Sequence, residues 1–229
     1  MTKTLIIAHG GYSAKYPENT LEAYIAAAEA KAHVIEMDVA MFSDGVVLCY
    51  HCKNTVNGFD IESEHTDSKK ALAQNASTLE VVLKKLSDFP LRIYFDLKQD
   101  SLELIDECMK VVGEVGLTEE EIIVGSRSED KLKYLKKNYK VTVLGLLQDP
   151  DKYEEFFKMG GDIYRLWEKG LTKERVEAIH KLGGKVWVTP GHKATATEPR
   201  TAGQASKEKL EWFTELKVDG VILNDPSII

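Results

Sequence analysis

Eight short apolar runs rich in β-branched residues recur along the chain, and stretches with helical periodicity separate most of them. The runs are TLIIAH, HVIEMDV, LRIYFDLK, EIIVGS, VTVLGLL, DIYRLW, KVWVTP and DGVILND. Helical stretches such as NTLEAYIAAAEAK, SLELIDECMKVVGEVG and TKERVEAIHKLGG lie between them. Strands that alternate with helices through short connections are typical of βα units around a parallel sheet. Eight such units predict a (β/α)8 TIM barrel, with an open doubly wound sheet as the main alternative.

Residues typical of helix ends lie between these runs and support the alternation of strands and helices. Asn19 is a candidate N-cap with Glu22 three residues later. Four glycines stand where helices are expected to end, namely Gly113, Gly116, Gly160 and Gly183. We find no repeat or interdomain linker, and we therefore predict a single domain over residues 1–229, with a short polar insertion at about 52–77.

The segment IEMDVAMFSDGVVLCYHC, residues 35–52, predicts a hairpin that adds an extra strand after the second barrel strand. If Asp44 and Gly45 form a two-residue turn, His51 lies opposite Asp38 and on the same face as Glu36. The alternative is a redox or zinc element built on Cys49 and Cys52. Residues three apart on a strand point to opposite faces, whereas thiol pairs sit at the start of a helix, so we favour the hairpin.

Polar residues stand at the ends of three neighbouring predicted strands. His9 ends the first strand, Glu36 and Asp38 end the second, and Asp96 and Lys98 share the inward face at the end of the third. The chemistry of a (β/α)8 barrel lies at these carboxyl ends, so we expect the side chains to converge.

Three carboxylates and two histidines in one place indicate a particular chemistry. Glu36, Asp38 and Asp96 offer hard oxygen ligands that suit Mg²⁺ or Ca²⁺. The alternative is that each acid pairs with a Lys or Arg at the barrel mouth, although three adjacent carboxylates repel one another without a cation or shared proton. His9 and His51 can act as general acid and base, and with a divalent cation they form the set that phosphodiester cleavage needs.

Composition and charge bear on the binding partners and on the cellular location that we expect. The formal net charge is −7, with 29% charged residues interspersed and no basic stripe, which argues against a nucleic-acid partner. Nothing approaches the ~18 apolar residues of a membrane span, and the start MTKTLIIAHGG lacks a signal-peptide core. Three cysteines, at 49, 52 and 108, suit a reducing compartment. We therefore expect a cytoplasmic protein without stable membrane insertion, and its oligomeric state stays open.

These motifs, in this order, resemble those of the glycerophosphodiester phosphodiesterase family. They are AHGGYSAKYPENTLEAY, EMD, SDG before YH, DLK, VW and VDGVILNDP, and they run from residue 8 to about 226. The resemblance implies a TIM barrel enzyme of phosphoric diester hydrolase type, which uses a divalent cation to hydrolyse glycerophosphodiesters to glycerol 3-phosphate and an alcohol. It implies Glu36, Asp38 and Asp96 as metal ligands, His9 and His51 as the catalytic pair, Lys98 as the phosphate ligand, and Trp187 at the substrate pocket.

The chain differs from the family pattern at four positions. Gly10 stands where the family has Arg, and Asp96 stands where it has Glu; Cys52 and Pro190 replace an Asp and an Asn. The missing Arg motivates two alternatives, namely phospholipase D-like cleavage of a lysophospholipid or other phosphodiester, or a barrel that binds a phosphodiester without turnover. Arg127 and Arg165 could replace the missing Arg, although we favour surface solvation for both.

Three other histidines have roles that the sequence leaves less defined. His192 lies in the loop after the seventh strand, and it could touch substrate. We expect His33 and His180 to be structural.

Overall fold

The computed structural model describes residues 4–51, 55–56, 59–60, 63–195 and 197–228. Its strands are β1 (Leu5–Ala8), β2 (Val34–Met41), β3 (Val47–Cys49), β4 (Thr55–Val56), β5 (Phe59–Asp60), β6 (Ser77–Thr78), β7 (Arg92–Leu97), β8 (Ile122–Ser126), β9 (Thr142–Gly145), β10 (Ile163–Trp167), β11 (Lys185–Thr189) and β12 (Gly220–Leu223). Its helices are α1 (Leu21–Glu29), α2 (Ser68–Leu72), α3 (Leu79–Leu86), α4 (Leu102–Glu114), α5 (Glu129–Asn138), α6 (Tyr153–Lys158), α7 (Lys173–Lys181) and α8 (Lys207–Glu215).

Eight parallel strands close into a barrel, which confirms the predicted fold and excludes the open sheet. The order around the barrel is β1, β12, β11, β10, β9, β8, β7 and β2, and β1 also pairs with β2. All eight predicted strands take part. The register between β2 and β7 places Asp38 beside Asp96, so the acidic strand ends lie at the same height.

The helices begin and end only partly where the capping residues and glycines predicted. The N-cap of α1 is Thr20, whose hydroxyl accepts from the backbone N–H of Ala23 at 3.3 Å, so the predicted Asn19 cap is wrong. Gly116, Gly160 and Gly183 have positive φ just beyond α4, α6 and α7, as expected of helix ends. Gly113 instead lies inside α4.

The hairpin of β2 and β3 is confirmed, but its predicted register is wrong by one residue. Met41 pairs with Val47, so Tyr50 rather than His51 stands opposite Asp38, and its N–H donates to the Asp38 carbonyl at 3.0 Å. Both favoured two-residue turns need positive φ at their first residue, here Asp44, and of Asp44 and Gly45 only Gly45 has it, at 78°. The chain uses a three-residue loop, and His51 follows the end of β3.

Apolar side chains fill the barrel below its polar mouth. Trp187 is fully buried there and packs edge-to-face on Tyr94, with ring centroids 6.0 Å apart. The other members of this interior cluster are Ile7, Val34, Ile123, Leu144, Leu146, Ile163 and Ile222. A second, larger core lies between the barrel and its helices. The packed interior confines open space to the carboxyl ends of the strands.

The predicted insertion carries β4, β5 and α2 among its described residues. The Asp44 carboxylate at the hairpin turn accepts from the hydroxyl of Ser68 at 2.7 Å and holds α2 against the turn. Gln99, after β7, donates to the Ser63 hydroxyl at 2.9 Å. The described insertion is thus tied to the acidic side of the barrel mouth. None of the helices in the described ranges has the length and apolar character needed to cross a membrane.

Candidate active site

A cavity of about 360 Å³ opens at the carboxyl ends of the barrel strands. Five of the side chains singled out from the sequence line it, namely His9, Glu36, His51, Asp96 and Lys98. Asp38 lies beside them, with a carboxylate oxygen 2.6 Å from Lys98 Nζ. The strand ends therefore bring the predicted acids, histidines and lysine to one place.

Three buried carboxylates form the floor of this site. One oxygen from each of Glu36, Asp38 and Asp96 lies within 4.8 Å of the others. Glu36 accepts from the backbone N–H of Gly10 at 2.6 Å, and it has no ion pair within the described part of the chain. Burial, and then the charges of Asp38 and Asp96, raise the pKa of Glu36 well above its usual value. Glu36 is therefore a buried carboxylate whose charge is not neutralised by a basic side chain.

Two basic side chains neutralise the other two acids. Lys98 Nζ lies 2.6 Å from Asp38 Oδ1 and 2.7 Å from Asp96 Oδ2. Arg127 Nη2 lies 2.6 Å from Asp96 Oδ1. Although burial opposes the shift, Arg127 and Lys98 hold the pKa of Asp96 below its usual range. The alternative of acids paired with Lys or Arg thus holds for the two aspartates and fails for Glu36.

The charges of this cluster leave room for a cation. When all three carboxylates are ionised, they exceed the positive charges of Lys98 and Arg127 by one, on a buried site of oxygen donors. Magnesium and calcium ions prefer such hard oxygen ligands. The residues therefore fit a divalent cation, and binding it would give the site a net positive charge that suits a phosphate.

Asn224, which follows β12 beside β1, holds the His9 ring in one orientation. Its Nδ1 lies 2.8 Å from Asn224 Oδ1, while Asn224 Nδ2 donates to the Ala202 carbonyl at 3.0 Å. An amide oxygen only accepts, so Nδ1 carries the hydrogen and Nε2 is left as an acceptor. Arg200 Nη2 lies 3.1 Å from that nitrogen. Burial, and then Arg200, lower the pKa of His9.

His51 has the opposite electrostatic environment. Its Nδ1 lies 3.1 Å from Glu18 Oε1. This hydrogen bond raises the pKa of His51 and lowers the pKa of Glu18 to about 2. Arg200 approaches the other oxygen of Glu18 at 3.5 Å. Glu18 and Arg200 were missed from the sequence, although Glu18 lies in the quoted YPEN motif.

Asn19 serves the acidic cluster instead of capping a helix. Its Nδ2 donates to Asp38 Oδ2 at 2.9 Å, and its Oδ1 accepts from Tyr24 and from the Asp38 backbone N–H at 2.8 and 3.0 Å. The residue is buried and has a φ of 61°, a conformation that Asn tolerates better than most residues. Asn19 therefore fixes the Asp38 carboxylate.

Arginine reaches the cavity from positions other than the one used by the family. Gly10 has a φ of 59°, and a Cβ added there would lie 3.0 Å from the Cβ of Glu18, so the backbone does not favour Arg at this position. Arg127 and Arg165 both line the cavity and are largely buried, so the expected surface solvation is wrong for both. Arg200 lines the cavity as well.

One predicted pocket residue lies elsewhere. Trp187 is fully buried below the cavity, whereas Trp167 lines it. The register of β10 and β11 explains the difference, because Trp167 pairs with Thr189 at the mouth and Trp187 lies one layer deeper, beside Arg165. Trp187 supports the site from below and does not form its wall.

The remaining histidines lie outside the cavity. His33 Nδ1 accepts from the backbone N–H of Ile6 at 3.0 Å, and His180 Nε2 lies 2.8 Å from an Asp219 oxygen, as expected of structural residues. His192 Nδ1 lies 2.7 Å from the carbonyl of Lys193 and lines a neighbouring cavity.

The cysteines give no support to a thiol site. Cys49 and Cys108 are buried and free, and burial raises the pKa of Cys49 to about 12. Cys52 lies outside the described residues.

Known proteins share this chain's motifs and fold. The model of the Glycerophosphoryl diester phosphodiesterase family matches residues 9–94. Over 99% of its length the chain is 26% identical to a glycerophosphodiester phosphodiesterase from Caldanaerobacter subterraneus subsp. tengcongensis, of which it covers 96%. The matched ranges include both cavity histidines, Glu36 and Asp38.

Two solved structures have the same fold. A glycerophosphodiester phosphodiesterase from Thermotoga maritima has a TM-score of 0.74 and 22% identity, with 99% of this chain and 97% of that chain covered. A phosphodiesterase from Oleispira antarctica, solved in complex with the product sn-glycerol-3-phosphate, has a TM-score of 0.75 and 19% identity, with 97% and 94% covered. These two structures confirm the fold that the resemblance implies.

Proposed function

We propose that the chain belongs to the glycerophosphodiester phosphodiesterase family, and that it hydrolyses glycerophosphodiesters to glycerol 3-phosphate and an alcohol with the help of Mg²⁺ or Ca²⁺. The convergence of three carboxylates and two histidines on one cavity carries this proposal. The sn-glycerol-3-phosphate bound to the Oleispira antarctica phosphodiesterase is consistent with the product.

Glu36, Asp38 and Asp96 would hold the cation, since their oxygens form the buried acidic cluster. When bound, the cation would neutralise phosphoryl charge and lower the pKa of an attacking hydroxyl. Lys98 Nζ, at the cavity wall between the two aspartates, binds a phosphate oxygen. Asn19 and the backbone N–H of Gly10 keep Asp38 and Glu36 in place.

The two histidines divide the proton transfers. His9 presents an unprotonated Nε2 to the cavity, because its Nδ1 donates to Asn224, and it removes the proton from the attacking hydroxyl. His51 is kept protonated by Glu18 and donates to the leaving alkoxide. Arg200, which now contacts His9 Nε2, has a side chain 38% exposed and is free to turn toward the phosphate.

The rate is expected to have a bell-shaped dependence on pH. The base must be neutral, and the pKa of His9 is lowered, so kcat/KM rises with pH at values below 6.5. The acid must be protonated, and the pKa of His51 is raised, so kcat/KM falls at values above 6.5. Glu18→Gln removes the main cause of the His51 shift and is expected to move the falling limb to lower pH.

The profile of kcat/KM against pH for the wild type and for Glu18→Gln measures this effect. Glu22→Gln, an exposed change on α1, is the matched control and is expected to keep the wild-type profile. A falling limb that does not move in Glu18→Gln would show that the Glu18 and His51 pair does not supply the acid.

Hydrolysis of glycerophosphocholine, followed by ³¹P NMR, tests the activity itself. We expect a glycerol 3-phosphate signal with added Mg²⁺ or Ca²⁺ and its loss in matched samples with EDTA. Signal that persists in EDTA would remove the cation from the proposal, and the absence of product with either ion would contradict the proposed reaction on this substrate.

A further inference from the structure

One half of the cavity wall carries positive charge without a carboxylate. This half is formed by β9, β10, β11 and the loops that follow them, and its described lining includes Gln148, Arg165, Trp167 and Lys193. The described acidic residues that line the cavity are Glu36 on β2 and Asp96 on β7. Four steps around the barrel separate β2 from β10, so the acidic floor and Arg165 belong to opposite walls.

Arg165 is a buried cation for which the described part of the chain offers no anionic partner. The residue is 6% exposed, and its Nη1 is buried without a hydrogen-bond acceptor among the described residues. No ion pair to Arg165 is formed there either, and its guanidinium carbon lies 4.6 Å from the centroid of the Trp167 ring. Burial lowers the pKa of Arg165 to about 10. A desolvated charge without a partner destabilises a fold, and such groups are typical of binding sites.

Lys193 adds a second positive charge on the same side. Its Nζ lies 6.0 Å from the centroid of the Trp167 ring, and the side chain extends from the loop after β11. By contrast, the other cations of the cavity have acidic partners. Lys98 and Arg127 contact Asp96, and Arg200 contacts Glu18. The unmatched charge is therefore localised on the β10 and β11 side.

The cavity continues past these residues. Arg165, Trp167 and Lys193 also line an adjoining cavity of about 580 Å³. A phosphodiester whose phosphorus lies between the histidines and the acidic cluster has two substituents, and one of them can extend across the barrel mouth to Arg165. The geometry suits a ligand with a second anionic group.

We propose that Arg165, Lys193 and Trp167 form a second anion subsite, which binds a phosphate or carboxylate on the alcohol portion of the substrate. The preferred substrates are then glycerophosphodiesters with an anionic headgroup. This inference rests on the proposed function, because it takes the scissile phosphate to lie at the acidic cluster. Arg165 can offer two parallel N–H donors to such a group.

A matched pair of substrates tests the subsite, namely glycerophosphoinositol and glycerophosphoinositol 4-phosphate, which differ only in the added phosphate. We expect the wild type to have a kcat/KM at least ~10-fold higher for the phosphorylated substrate, as charge-assisted hydrogen bonds imply. Arg165→Gln is expected to bring the ratio close to one. Arg165→Lys keeps the charge without the planar fork, and it is expected to give an intermediate ratio.

Two controls separate this effect from damage to the fold. Arg175→Gln removes a guanidinium that lines the adjoining cavity but pairs with Asp151 at 2.6 Å, and we expect it to keep the wild-type ratio. Thermal denaturation of Arg165→Gln is expected to give a midpoint no lower than that of the wild type, because the change removes a desolvated charge. If Arg165→Gln does not fold, the ratio of kcat/KM between the two substrates in Arg165→Lys tests the subsite instead. A ratio below that of the wild type supports the subsite, and an unchanged ratio overturns it.

Each contrary outcome has a distinct meaning. A wild-type ratio near one, or a preference that survives in Arg165→Gln, overturns the subsite and leaves the proposed hydrolysis standing. An equal loss on both substrates also overturns it, because Arg165 would then bind the shared glycerophosphate. If neither substrate is cleaved, the proposed function fails, and calorimetric affinities for the same pair test the subsite. A preference for the phosphorylated ligand that Arg165→Gln abolishes supports it, and equal affinities overturn it.

Discussion

Replacing His9 by Ala is expected to lower kcat by about 10²- to 10⁴-fold, the range typical of a lost general acid or base. The His9 imidazole presents an unprotonated Nε2 to the cavity, because its Nδ1–H donates a hydrogen bond to Asn224 Oδ1. Its removal leaves the acidic cluster and Lys98 in place. We therefore expect kcat to fall much more than KM rises.

Steady-state kinetics on glycerophosphocholine with saturating Mg²⁺ or Ca²⁺ measures this loss. His65→Ala is the matched control, since His65 is exposed on the insertion and is expected to keep wild-type kinetics. Exogenous imidazole is expected to restore part of the activity of His9→Ala. A kcat within about threefold of the wild type would exclude His9 from the proton transfer.

Replacing Glu36 by Gln is expected to change activity and stability in opposite directions. The variant loses the proposed cation ligand that lacks a basic partner. The several kcal/mol that a cation contributes to phosphoryl charge stabilisation correspond to an expected loss of about 10²-fold or more in kcat/KM. In EDTA, however, the variant is expected to melt at a higher temperature than the wild type. Its amide keeps the hydrogen bond from Gly10 without repulsion from Asp38 and Asp96.

The stability gain has a defined dependence on pH. The pKa of Glu36 in the folded state is raised above 4.5, so at neutral pH folding must either bury the charge or take up a proton. The gain of Glu36→Gln in EDTA therefore shrinks as the pH falls toward 4.5, where the unfolded state binds the proton as well. Each kcal/mol corresponds to about 2–4 °C in the melting midpoint of a chain of this size.

Thermal denaturation in EDTA and in added cation measures both effects. The wild-type midpoint is expected to rise with Mg²⁺ or Ca²⁺, and that of Glu36→Gln to rise much less, because bound ligand stabilises only the state that binds it. Glu80→Gln, on exposed α3 surface, serves as the control. An equal rise in both proteins would place the cation away from Glu36.

The strands and the acidic site were predictable because both follow from local pattern. Alternating apolar residues mark each barrel strand, and a parallel barrel places the ends of neighbouring strands together. Asp38 and Asp96 are therefore adjacent in register, as their positions at the ends of β2 and β7 imply. Nothing beyond strand order is needed to bring these carboxylates to one edge.

Features that depend on turn conformation or on distant partners were not predictable in this way. The hairpin register depends on which turn residue takes positive φ, and SDG permits either a two-residue or a three-residue loop. Asn19 has the side chain of a helix cap, and only its contact with Asp38 on the neighbouring strand shows its role. Arg127 is buried because Asp96 neutralises its charge. The two residues lie far apart in sequence, so the pairing could not be predicted.

The sequence also could not show how deep in the barrel each inward-facing side chain lies. Trp187 and Thr189 lie on the same face of β11, and the motif does not say which of them reaches the mouth. The barrel interior is filled in layers, so a shift of two residues along one strand separates a wall residue from a packed one.

The ammonium of Lys98 lies between Asp38 and Asp96 and neutralises these two acids from within the chain. With this counter-ion in place, the barrel is expected to fold without bound metal, unlike small domains that unfold when their metal is chelated. The proposed cation would compete with this resident charge for the oxygens of the two aspartates, so its occupancy is expected to follow the free ion concentration around the protein. If the proposed cation is needed for activity, chelation is expected to stop turnover reversibly, with activity returning on resupply of the ion and no refolding step.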